Sequence, residues 1–479
     1  MILRVINHPY EFDMKNLCIT FFPHEKIRLE GDEDPVVVTT RRETDGSFFV
    51  SAKVYDVYRE TTAKPEPADE EHLVLSVTLY RLLSGILGFA PPWGVLYGVR
   101  PAKLMHRLCA QMGDDAAVAH FQTAFLTQKS KAELAHEVML HENRSIARSG
   151  PKSFSLYVSI PFCPTRCAYC SFVSHSIEKT HKLMTPYVDL LLRELEETSK
   201  YAKELGLELA TVYFGGGTPT TLSAQDLGRI FSTIEQNFDL SHLMEYTVEA
   251  GRPDTVTRER LEVIRAAGVQ RISINPQSFN DKVLEAIGRR HTAQQTLDAF
   301  ALARNCGFDH INMDFIAGLP EDDLPSFQRS IQTALDLQAE SITVHTLALK
   351  TSAYMVTREQ TFDLKDRLTV SNMVDYAGQT LHGAGYYPYY MYRQSKSLGN
   401  LENVGWCKPG YDCLYNVYMM DETHTVLAVG AGAVTKLRGQ NSGMIERIYN
   451  YKYPYEYIRD FDTLLERKKR IPGFYAEYD

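Results

Sequence analysis

Three cysteines in one short stretch are the residues of this chain whose types and spacing could do chemistry. Cys163, Cys167 and Cys170 stand in the sequence Cys-Pro-Thr-Arg-Cys-Ala-Tyr-Cys. Thiolates at this spacing can hold three corners of a four-iron cluster and leave the fourth iron open for chemistry. A structural zinc site is the alternative, with His175 as the fourth ligand, because three cysteines and one histidine are a standard zinc set.

A glycine run and three polar side chains come at the ends of successive predicted strands. Glycines let main-chain groups approach a ligand directly, although a glycine run after a strand is also typical of a tight turn. A single polar residue at a strand end is more often a loop-capping group than a ligand contact. Together, and beside a cysteine triplet, these residues indicate a ligand site that a structural zinc ion would not need. They are Gly215, Gly216, Gly217, Glu249, Gln277 and Asp314.

The elements that must position these residues are predicted from about Leu156 onward. Short β-branched runs alternate there with amphipathic helical windows, which is typical of βα units that build a parallel sheet. Six such units without two more predict an α/β fold with an open, partial (β/α)6 barrel, in which loops at the C-terminal ends of strands gather the chemistry. The predicted strands are Leu156–Ile160, Thr211–Phe214, Glu245–Glu249, Arg271–Ile274, His310–Phe315 and Ser341–Leu347, and the predicted helices are Pro186–Leu205, Ala224–Asn237, Arg258–Ala267, Thr292–Asn305 and Leu324–Leu337.

Two further domains are predicted on either side of this core, which we place at residues 151–350. Residues 1–150 are expected to form an accessory α+β domain, and residues 351–479 a C-terminal α+β domain that covers the substrate. The C-terminal part contains a tyrosine-dense segment at residues 386–392. Tyrosine clusters are most often packing surface with a wet hydroxyl, and binding of a flat aromatic ligand is the alternative interpretation.

The composition is that of a soluble globular protein. The chain has 479 residues, of which 44% are hydrophobic and 23% charged. Its net charge of −9, from 51 basic and 60 acidic side chains, argues against broad binding to nucleic acid or to an anionic membrane. Neither a secretory signal nor a membrane span is predicted, and the other cysteines are scattered, so we expect a cytoplasmic protein with reduced thiols.

The motifs together resemble those of the radical S-adenosylmethionine enzymes related to oxygen-independent coproporphyrinogen III oxidase. The stretch Tyr-Val-Ser-Ile-Pro-Phe-Cys begins at Tyr157, and Gly-Gly-Gly-Thr-Pro-Thr follows the second predicted strand. Glu249, Pro-Gln-Ser-Phe-Asn at 276–280, Gly-Arg-Arg-His at 288–291 and Asp-Phe-Ile-Ala-Gly-Leu-Pro at 314–320 complete the match. Segments 402–416 and 430–436 resemble the HemZ-type branch of this family.

This resemblance implies a [4Fe–4S] cluster and S-adenosylmethionine as cofactors, with Cys163, Cys167 and Cys170 as the cluster ligands. The open iron would bind the amino and carboxylate groups of S-adenosylmethionine. An electron from a reduced flavodoxin or ferredoxin would cleave this cofactor to methionine and a 5′-deoxyadenosyl radical, which removes hydrogen from an unactivated carbon.

The resemblance also implies roles for individual site residues. The glycine loop, continued by Thr218, would bind the methionyl amino group, and Arg289 would pair with the carboxylate. Tyr157 would lie near the sulfonium as the catalytic candidate. The methionine or ribose ends would be held by Glu249, Gln277 and Asp314.

The substrate implied by the resemblance is coproporphyrinogen III. Hydrogen removal from the β-carbon of a propionate, followed by loss of carbon dioxide, would leave a vinyl group, and two rounds would give protoporphyrinogen IX. Four propionates need cationic partners, although most surface arginines and lysines serve solvation. The candidate cations are Arg289, Arg290, Arg393, Lys396 and Lys408.

Two departures from the oxidase bear on the substrate. The oxidase has a fourth cysteine where this chain has Phe172, and a histidine where it has Ser159. Related heme chaperones also have phenylalanine at the first position, but they carry a His-Asn-x-x-Tyr-Trp motif that has no histidine counterpart here. A heme-binding carrier on the same scaffold is therefore the second hypothesis, with His424 or Cys413 as its candidate ligand. A radical enzyme that acts on heme with another outcome is the third.

Overall fold

The structure is a computed structural model that describes residues 1–23, 25–31, 33–98, 100–170, 175–348, 364–394 and 397–479. The N-terminal elements are β1 (Ile2–Ile6), α1 (Glu11–Phe21), β2 (Val36–Arg42), β3 (Phe48–Val54), β4 (Val57–Ala63), α2 (Glu71–Leu87), α3 (Pro101–Met112), α4 (Asp114–Thr123) and α5 (Lys129–Ile146). The central elements are β5 (Ser153–Ile160), β6 (Phe162–Cys163), β7 (His175–Ser176), α6 (Ile177–Glu204), β8 (Glu208–Gly216), α7 (Ala224–Asn237), β9 (Glu245–Glu249), α8 (Arg258–Ala266), β10 (Arg271–Ser273), α9 (Asp281–Ala286), α10 (Ala293–Asn305), β11 (His310–Ala317), α11 (Leu324–Asp336) and β12 (Ser341–Thr346). The C-terminal elements are α12 (Leu364–Gly383), β13 (Tyr387–Arg393), β14 (Glu402–Cys407), α13 (Leu414–Asp421), β15 (Thr425–Val429), β16 (Val434–Arg438), β17 (Ile445–Tyr449), α14 (Pro454–Arg459), α15 (Phe461–Lys468) and α16 (Arg470–Tyr478).

An eleven-stranded sheet forms the centre of the molecule, in the order β13-β14-β12-β11-β10-β9-β8-β5-β15-β16-β17. The six strands from β5 to β12 in this order are parallel to their neighbours. Helices α6, α7, α8, α10 and α11 connect them along the chain. The order and direction of these strands confirm the predicted α/β fold with six βα units.

The parallel strands have one apolar and one mostly polar face, because successive side chains of a strand point to opposite faces. Leu156, Phe214 and Val248 are buried in the main hydrophobic core together with helix residues such as Leu191 and Ile230. The other face is therefore the one that can receive a polar ligand. Its residues include Ser155, Tyr157, Ser159, Thr211, Tyr213, Glu245, Thr247, Glu249, Arg271, Ser273, Asn312, Asp314, Thr343 and His345.

The bounds of the predicted core elements agree closely with the structure, with one error of substance. Both ends of α7 and of β9 are as predicted. Helix α6, however, begins at Ile177, and Pro186 lies inside it. The prediction that α6 begins at Pro186 is wrong, because packing of a long amphipathic helix tolerates the one main-chain hydrogen bond that an internal proline removes.

The C-terminal residues extend the central sheet at both edges. Strand β14 pairs antiparallel with β12, and β13 pairs antiparallel with β14. At the other edge β15 pairs with β5 in parallel, a pairing that sequence analysis did not predict. The division into domains at residues 150 and 350 stays a prediction.

The N-terminal residues form a four-stranded sheet, β1-β2-β3-β4, with a separate hydrophobic core against α1 and α2. Helices α3 to α5 then connect it to the rest of the molecule. Trp93 Nε1 and Lys131 Nζ both donate to the buried Glu402 carboxylate, each at 2.6 Å. Lys131 also pairs with Asp375 at 2.8 Å. These buried contacts join the accessory region to β14 and α12.

Across the described residues, every helix is too short or too polar to cross a membrane.

Candidate functional site

The three cysteines lie on the loop that follows β5. Cys163 ends the two-residue strand β6, which pairs with β7. A main-chain hydrogen bond anchors the loop to the residue after α9: Ala168 N donates to Ile287 O at 2.9 Å. Cys170 N donates to Cys167 O at 3.1 Å, which turns the chain between these two cysteines. The loop therefore starts at the C-terminal end of the first parallel strand, where a barrel of this type is expected to gather its chemistry.

The glycine loop is hydrogen-bonded directly to the cysteine loop. Gly217 N donates to Ile160 O and Thr218 N donates to Phe162 O, both at 2.7 Å. Thr218 Oγ1 also donates to Cys163 Sγ at 3.5 Å. The three contacts fix the first cysteine relative to the end of β8.

Close packing explains why glycines occur in this loop. A Cβ at Gly217 would lie 2.5 Å from Phe162 O, and one at Gly216 would lie 2.9 Å from Ser159 Oγ. Gly216 also has a φ of +102°, which a residue with a side chain rarely adopts. A Cβ at Gly215 would lie 3.2 Å from Glu249 Oε1. The loop thus packs between the cysteine loop and the carboxylate at the end of β9.

Glu249 is a buried carboxylate of the site with an elevated pKa. Tyr213, on the neighbouring strand, donates its hydroxyl hydrogen to Glu249 Oε1 at 2.6 Å. Burial raises the pKa of Glu249 to about 7, the hydrogen bond from Tyr213 opposes this rise, and the nearby charge of Asp314 adds to it. Glu249 therefore changes its charge close to neutral pH.

Gln277 follows the end of β10 and lies beside Asp314, which is three residues before the end of β11. Asn312 Nδ2 donates to Asp314 Oδ1 at 2.8 Å, and His345 Nε2 lies 3.9 Å from Asp314 Oδ2. Burial opposes ionisation of Asp314, but His345 and Asn312 outweigh it and lower the pKa of Asp314. Gln277 has a φ of +68°, and its N–H donates to Asp314 O at 2.9 Å. The structure thus brings the polar residues of three strand ends to one edge.

Arg289 is buried beneath the cysteine loop. Its Nη1 donates to Asn275 O at 2.6 Å and its Nη2 donates to Tyr169 OH at 3.4 Å. Its Nε has no hydrogen-bond partner among the described residues. Arg289 therefore keeps one donor for a ligand while it supports the tyrosine that precedes Cys170.

Stacked tyrosines line the polar face next to Glu249. Tyr157 stacks on Tyr213 with ring centroids 6.3 Å apart, and Tyr415 of α13 stacks on Tyr213 at 4.4 Å. The N-terminus of α13 rests on Glu245, whose carboxylate accepts from Leu414 N at 2.6 Å and from Tyr415 N at 3.3 Å. Helix α13 thus covers part of the face on which Tyr157 lies.

The three motif sulfurs do not all lie within 4.8 Å of one another. Sulfur ligands of a tetrahedral zinc ion lie about 3.8 Å apart. Among the described residues, the set of three ligating side chains with all atoms within 4.8 Å of one another is Cys109, Asp114 and His136, in the N-terminal helices. The motif cysteines and His175 do not form such a set, which disfavours the zinc alternative. Three thiolates are the soft ligands that an iron–sulfur cluster takes.

The two residues considered as alternative heme ligands, His424 and Cys413, both have partners within the protein. His424 Nδ1 is 2.7 Å from Ser149 Oγ and its Nε2 is 2.8 Å from Ser155 Oγ, so both ring nitrogens are occupied. Cys413 is buried and its thiol donates to Glu245 at 3.4 Å. Neither residue is free to ligate heme in this arrangement. Phe172 lies outside the described residues.

The candidate propionate-binding cations are mostly engaged elsewhere. Arg393 is buried, and its Nη1 donates to Leu96 O at 2.8 Å, which joins β13 to the accessory region. Arg290 pairs with Glu178 at 2.7 Å, and Lys408 donates to Gln338 O at 2.9 Å. Lys396 lies outside the described residues. Arg289 donates to Tyr169 of the cysteine loop, as described above.

Arg252 is the main residue of the site that sequence analysis missed. It follows Glu249 by three positions, so the rule that singled out polar residues after strand ends could have found it. Its Nη1 lies 3.7 Å from Cys167 Sγ. Tyr213 and Tyr415 were also missed, because a tyrosine on a strand or helix gives no motif signal.

A pocket of about 450 Å³ opens on the outer side of the cysteine loop. Thr165 and Arg166 of that loop form one wall, and Gly288, Arg289 and Arg290 form another. The loop is therefore reached from the surface as well as from the polar face of the sheet.

Comparisons with known proteins cover the motif residues of this site. Residues 157–334 match the family model of the radical SAM superfamily. The chain is 34% identical over 470 residues to the oxygen-independent coproporphyrinogen-III oxidase-like protein HemZ of Bacillus subtilis (strain 168), covering 95% of this chain and 94% of that protein.

Two further similarities concern shorter stretches. The chain is 30% identical over 300 residues to the heme chaperone HemW of Escherichia coli (strain K12), covering 63% of this chain and 74% of that protein. Among solved structures, the radical SAM coproporphyrinogen III oxidase HemN of Escherichia coli matches with a TM-score of 0.50 and 21% identity, covering 68% of this chain and 72% of that one. At this identity, the structural match establishes the fold alone.

Proposed function

Because the chain belongs to the radical SAM superfamily, in the family of oxygen-independent coproporphyrinogen-III oxidase-like proteins, we propose that it decarboxylates coproporphyrinogen III oxidatively to protoporphyrinogen IX. The superfamily uses a [4Fe–4S] cluster and S-adenosylmethionine, so the chain is a radical SAM enzyme. When bound, these groups supply a 5′-deoxyadenosyl radical that accepts a hydrogen atom from the substrate.

Cys163, Cys167 and Cys170 would hold the cluster through their thiolates. The geometry that supports this assignment is the anchoring of the loop by the three hydrogen bonds from the glycine loop and by the one between Ala168 N and Ile287 O. A loop fixed in this way presents its sulfurs in one arrangement and loses little flexibility on binding.

S-adenosylmethionine would lie along the polar edge of the sheet. The carbonyls of Gly215–Gly217 and the hydroxyl of Thr218 would accept from its amino group, and the free Nε of Arg289 would donate to its carboxylate. Ionised Glu249 and Asp314, with Gln277, would bind the methionine and ribose ends through hydrogen bonds to charged acceptors. Tyr157 would contact the sulfonium with its ring face, as a cation–π partner.

The reaction changes one propionate at a time. The β-carbon gives up a hydrogen atom, the carboxylate leaves as carbon dioxide, and one electron passes to a one-electron acceptor such as an oxidised flavodoxin or ferredoxin. A vinyl group remains, and a second propionate reacts in the same way. The chain's residues contribute by excluding water and by holding the tetrapyrrole with its propionate toward the cysteine loop.

The C-terminal residues would cover the substrate. Tyr415 lies over Tyr213 on the polar face, and Tyr390 and Tyr392 of β13 stack with ring centroids 6.3 Å apart. Tyrosine rings suit contact with a flat tetrapyrrole, and Tyr392, which is partly exposed, is the one of these rings that a substrate would reach first. The electron donor would approach at the pocket beside Thr165 and Arg166, and a strongly reducing donor implies the cytoplasm as the place of action.

The observation that carries this proposal is the meeting of the cysteine loop, the glycine loop and Glu249 at one edge of a polar sheet face. Anaerobic reconstitution with iron and sulfide, followed by S-adenosylmethionine, a reductant and coproporphyrinogen III, tests it. We expect 5′-deoxyadenosine to rise only with the porphyrinogen, and the product to have the mass of protoporphyrinogen IX. A tetrapyrrole product of different mass would contradict decarboxylation and indicate another radical reaction.

A heme carrier is the second candidate function, because the chain matches the heme chaperone HemW over most of its core. Stoichiometric uptake of heme without formation of 5′-deoxyadenosine would support the carrier and contradict the enzyme. The engaged nitrogens of His424 predict that a His424→Gln variant takes up as much heme as the unaltered chain.

A further inference from the structure

A buried guanidinium group lies against one of the three motif cysteines. Arg252 is 3% exposed, and its Nη1 is 3.7 Å from Cys167 Sγ. The same nitrogen donates to Thr165 Oγ1 at 3.2 Å, so two residues of the cysteine loop are contacted by one cation. Long charged side chains are rarely this buried unless they have a specific partner.

The position of Arg252 is fixed by its neighbours rather than by the cysteine loop. Asp254 accepts from Nε and from Nη2, both at 3.0 Å, in a two-point contact. Arg252 is followed by the 3₁₀ turn Pro253–Thr255, and Thr255 returns two hydrogen bonds to Arg252 O through its N–H at 2.9 Å and its hydroxyl at 2.8 Å. The guanidinium is therefore aimed at Cys167 by contacts that do not depend on the cysteine.

Three charged side chains lie near the contact between Arg252 and Cys167. Arg252 contributes one positive charge at the sulfur, and Asp254 contributes a negative charge on the far side of the guanidinium. Arg289 adds a second buried cation, which interacts with Cys167 as well as with Tyr169. A sulfur at this place thus has a fixed donor and a net positive surrounding.

Such a surrounding acts on a cluster in a defined direction. Reduction adds one negative charge to the iron–sulfur group and its thiolates. A fixed cation stabilises the reduced form more than the oxidised form, and a hydrogen bond to a ligating sulfur has the same effect, so both raise the reduction potential. Burial strengthens the effect because water does not screen the charge.

We propose that Arg252 is a positioning residue that raises the reduction potential of the cluster by donating a charge-assisted hydrogen bond to Cys167 Sγ. The proposal rests on the assignment of Cys163, Cys167 and Cys170 as cluster ligands, and it does not depend on which tetrapyrrole the enzyme uses. The negative charge of Asp254 partly cancels the positive charge of Arg252. Asp254 therefore lowers the reduction potential that Arg252 raises.

The test is a redox titration of the reconstituted full-length protein, without substrate, followed by the paramagnetic signal of the reduced cluster. Arg252→Gln should retain its iron and sulfide but become at least tenfold harder to reduce, which is a fall of about 59 mV for a one-electron couple. Asp254→Asn should move the potential upward, and Arg252→Lys should restore part of the loss. A purely structural role would not give shifts of opposite sign.

Arg258→Gln is the matched control. Its Nη1 lies 3.9 Å from Cys306 Sγ, a contact of nearly the same length at a cysteine outside the motif, and its substitution should leave the potential unchanged. An unchanged potential in a fully loaded Arg252→Gln protein would overturn the proposal, and so would loss of the cluster from a folded one. If Arg252→Gln does not fold, Asp254→Asn decides: a rise supports the proposal and no rise overturns it. Failure of the unaltered chain to bind iron would instead overturn the ligand assignment.

Discussion

Tyr213 and Glu249, on adjacent parallel strands, share a 2.6 Å hydrogen bond at the edge where S-adenosylmethionine is proposed to bind. Burial raises the pKa of Glu249 to about 7, and the Tyr213 hydroxyl restrains that rise. Glu249 is therefore protonated below neutral pH and ionised above it. We expect the affinity for S-adenosylmethionine to increase several-fold as the pH rises through 7, measured by equilibrium dialysis on the reconstituted protein.

Two variants separate this cause from other pH effects. Glu249→Gln should give weak binding that no longer changes near pH 7. Tyr213→Phe removes the bond that favours the carboxylate, so the rise in affinity should move to higher pH. A Glu249→Gln protein with the original pH profile would contradict the role given to this carboxylate.

Removal of one motif cysteine should abolish the cluster. Cys167→Ala leaves two thiolates of the proposed set, so the reconstituted protein should lose the absorbance near ~400 nm that thiolate-bound iron–sulfur centres show. Cys306→Ser is the control, because Cys306 also contacts an arginine but lies outside the motif. Full iron in the Cys167→Ala protein would rule out the ligand assignment.

A methyl group in the glycine loop should disturb the cysteine loop. In Gly217→Ala the new Cβ would meet Phe162 O at 2.5 Å, a distance that forces one of the two loops to move. We expect lower iron content after reconstitution and a lower midpoint of thermal unfolding. Gly85→Ala, in helix α2, meets no atom within 4 Å and should be neutral or slightly stabilising, by about 0.5–1 kcal/mol. Equal iron content in the two variants would contradict this packing account.

A buried ion pair should contribute strongly to the stability of the sheet edge. Lys468 Nζ lies 2.7 Å from Glu194 Oε1, and both side chains are fully buried. Lys468→Met would leave the buried Glu194 carboxylate with its hydrogen-bond donors but without its cationic partner, at a cost of about 3–5 kcal/mol in the free energy of unfolding. Lys469→Met, which breaks an exposed pair with Glu466, should cost less than about 1 kcal/mol. Urea unfolding of both proteins measures the difference, and similar midpoints would refute it.

The core strands and helices were predictable because their signals are local. The alternation that predicts β9 and the helical period that predicts α7 are complete within short windows, and their bounds agree with the structure. The same local pattern placed Glu249, Gln277 and Asp314 at strand ends. Parallel strands then bring those ends to one edge without further information.

The parts that sequence analysis missed depend on contacts distant in the chain. Strand β15 reads only as a short apolar run, and nothing in it shows that it pairs with β5. Tyr415 reaches Tyr213 through a helix that lies across the sheet. Arg252 belongs to no motif, and its meaning comes only from the position of Cys167 in space.

The pairing of β5 with β15 has a consequence for the synthesis of the protein. Ser159 Oγ donates to Ala431 O across 272 residues, at the strand that leads into the cysteine loop. Contacts of such separation form late, because a long stretch of chain must first be available. During translation, the cysteine loop therefore follows a strand, β5, that has not yet paired with β15. We therefore expect the sheet around the cysteine loop to be complete only after residues 425–449 have been synthesised.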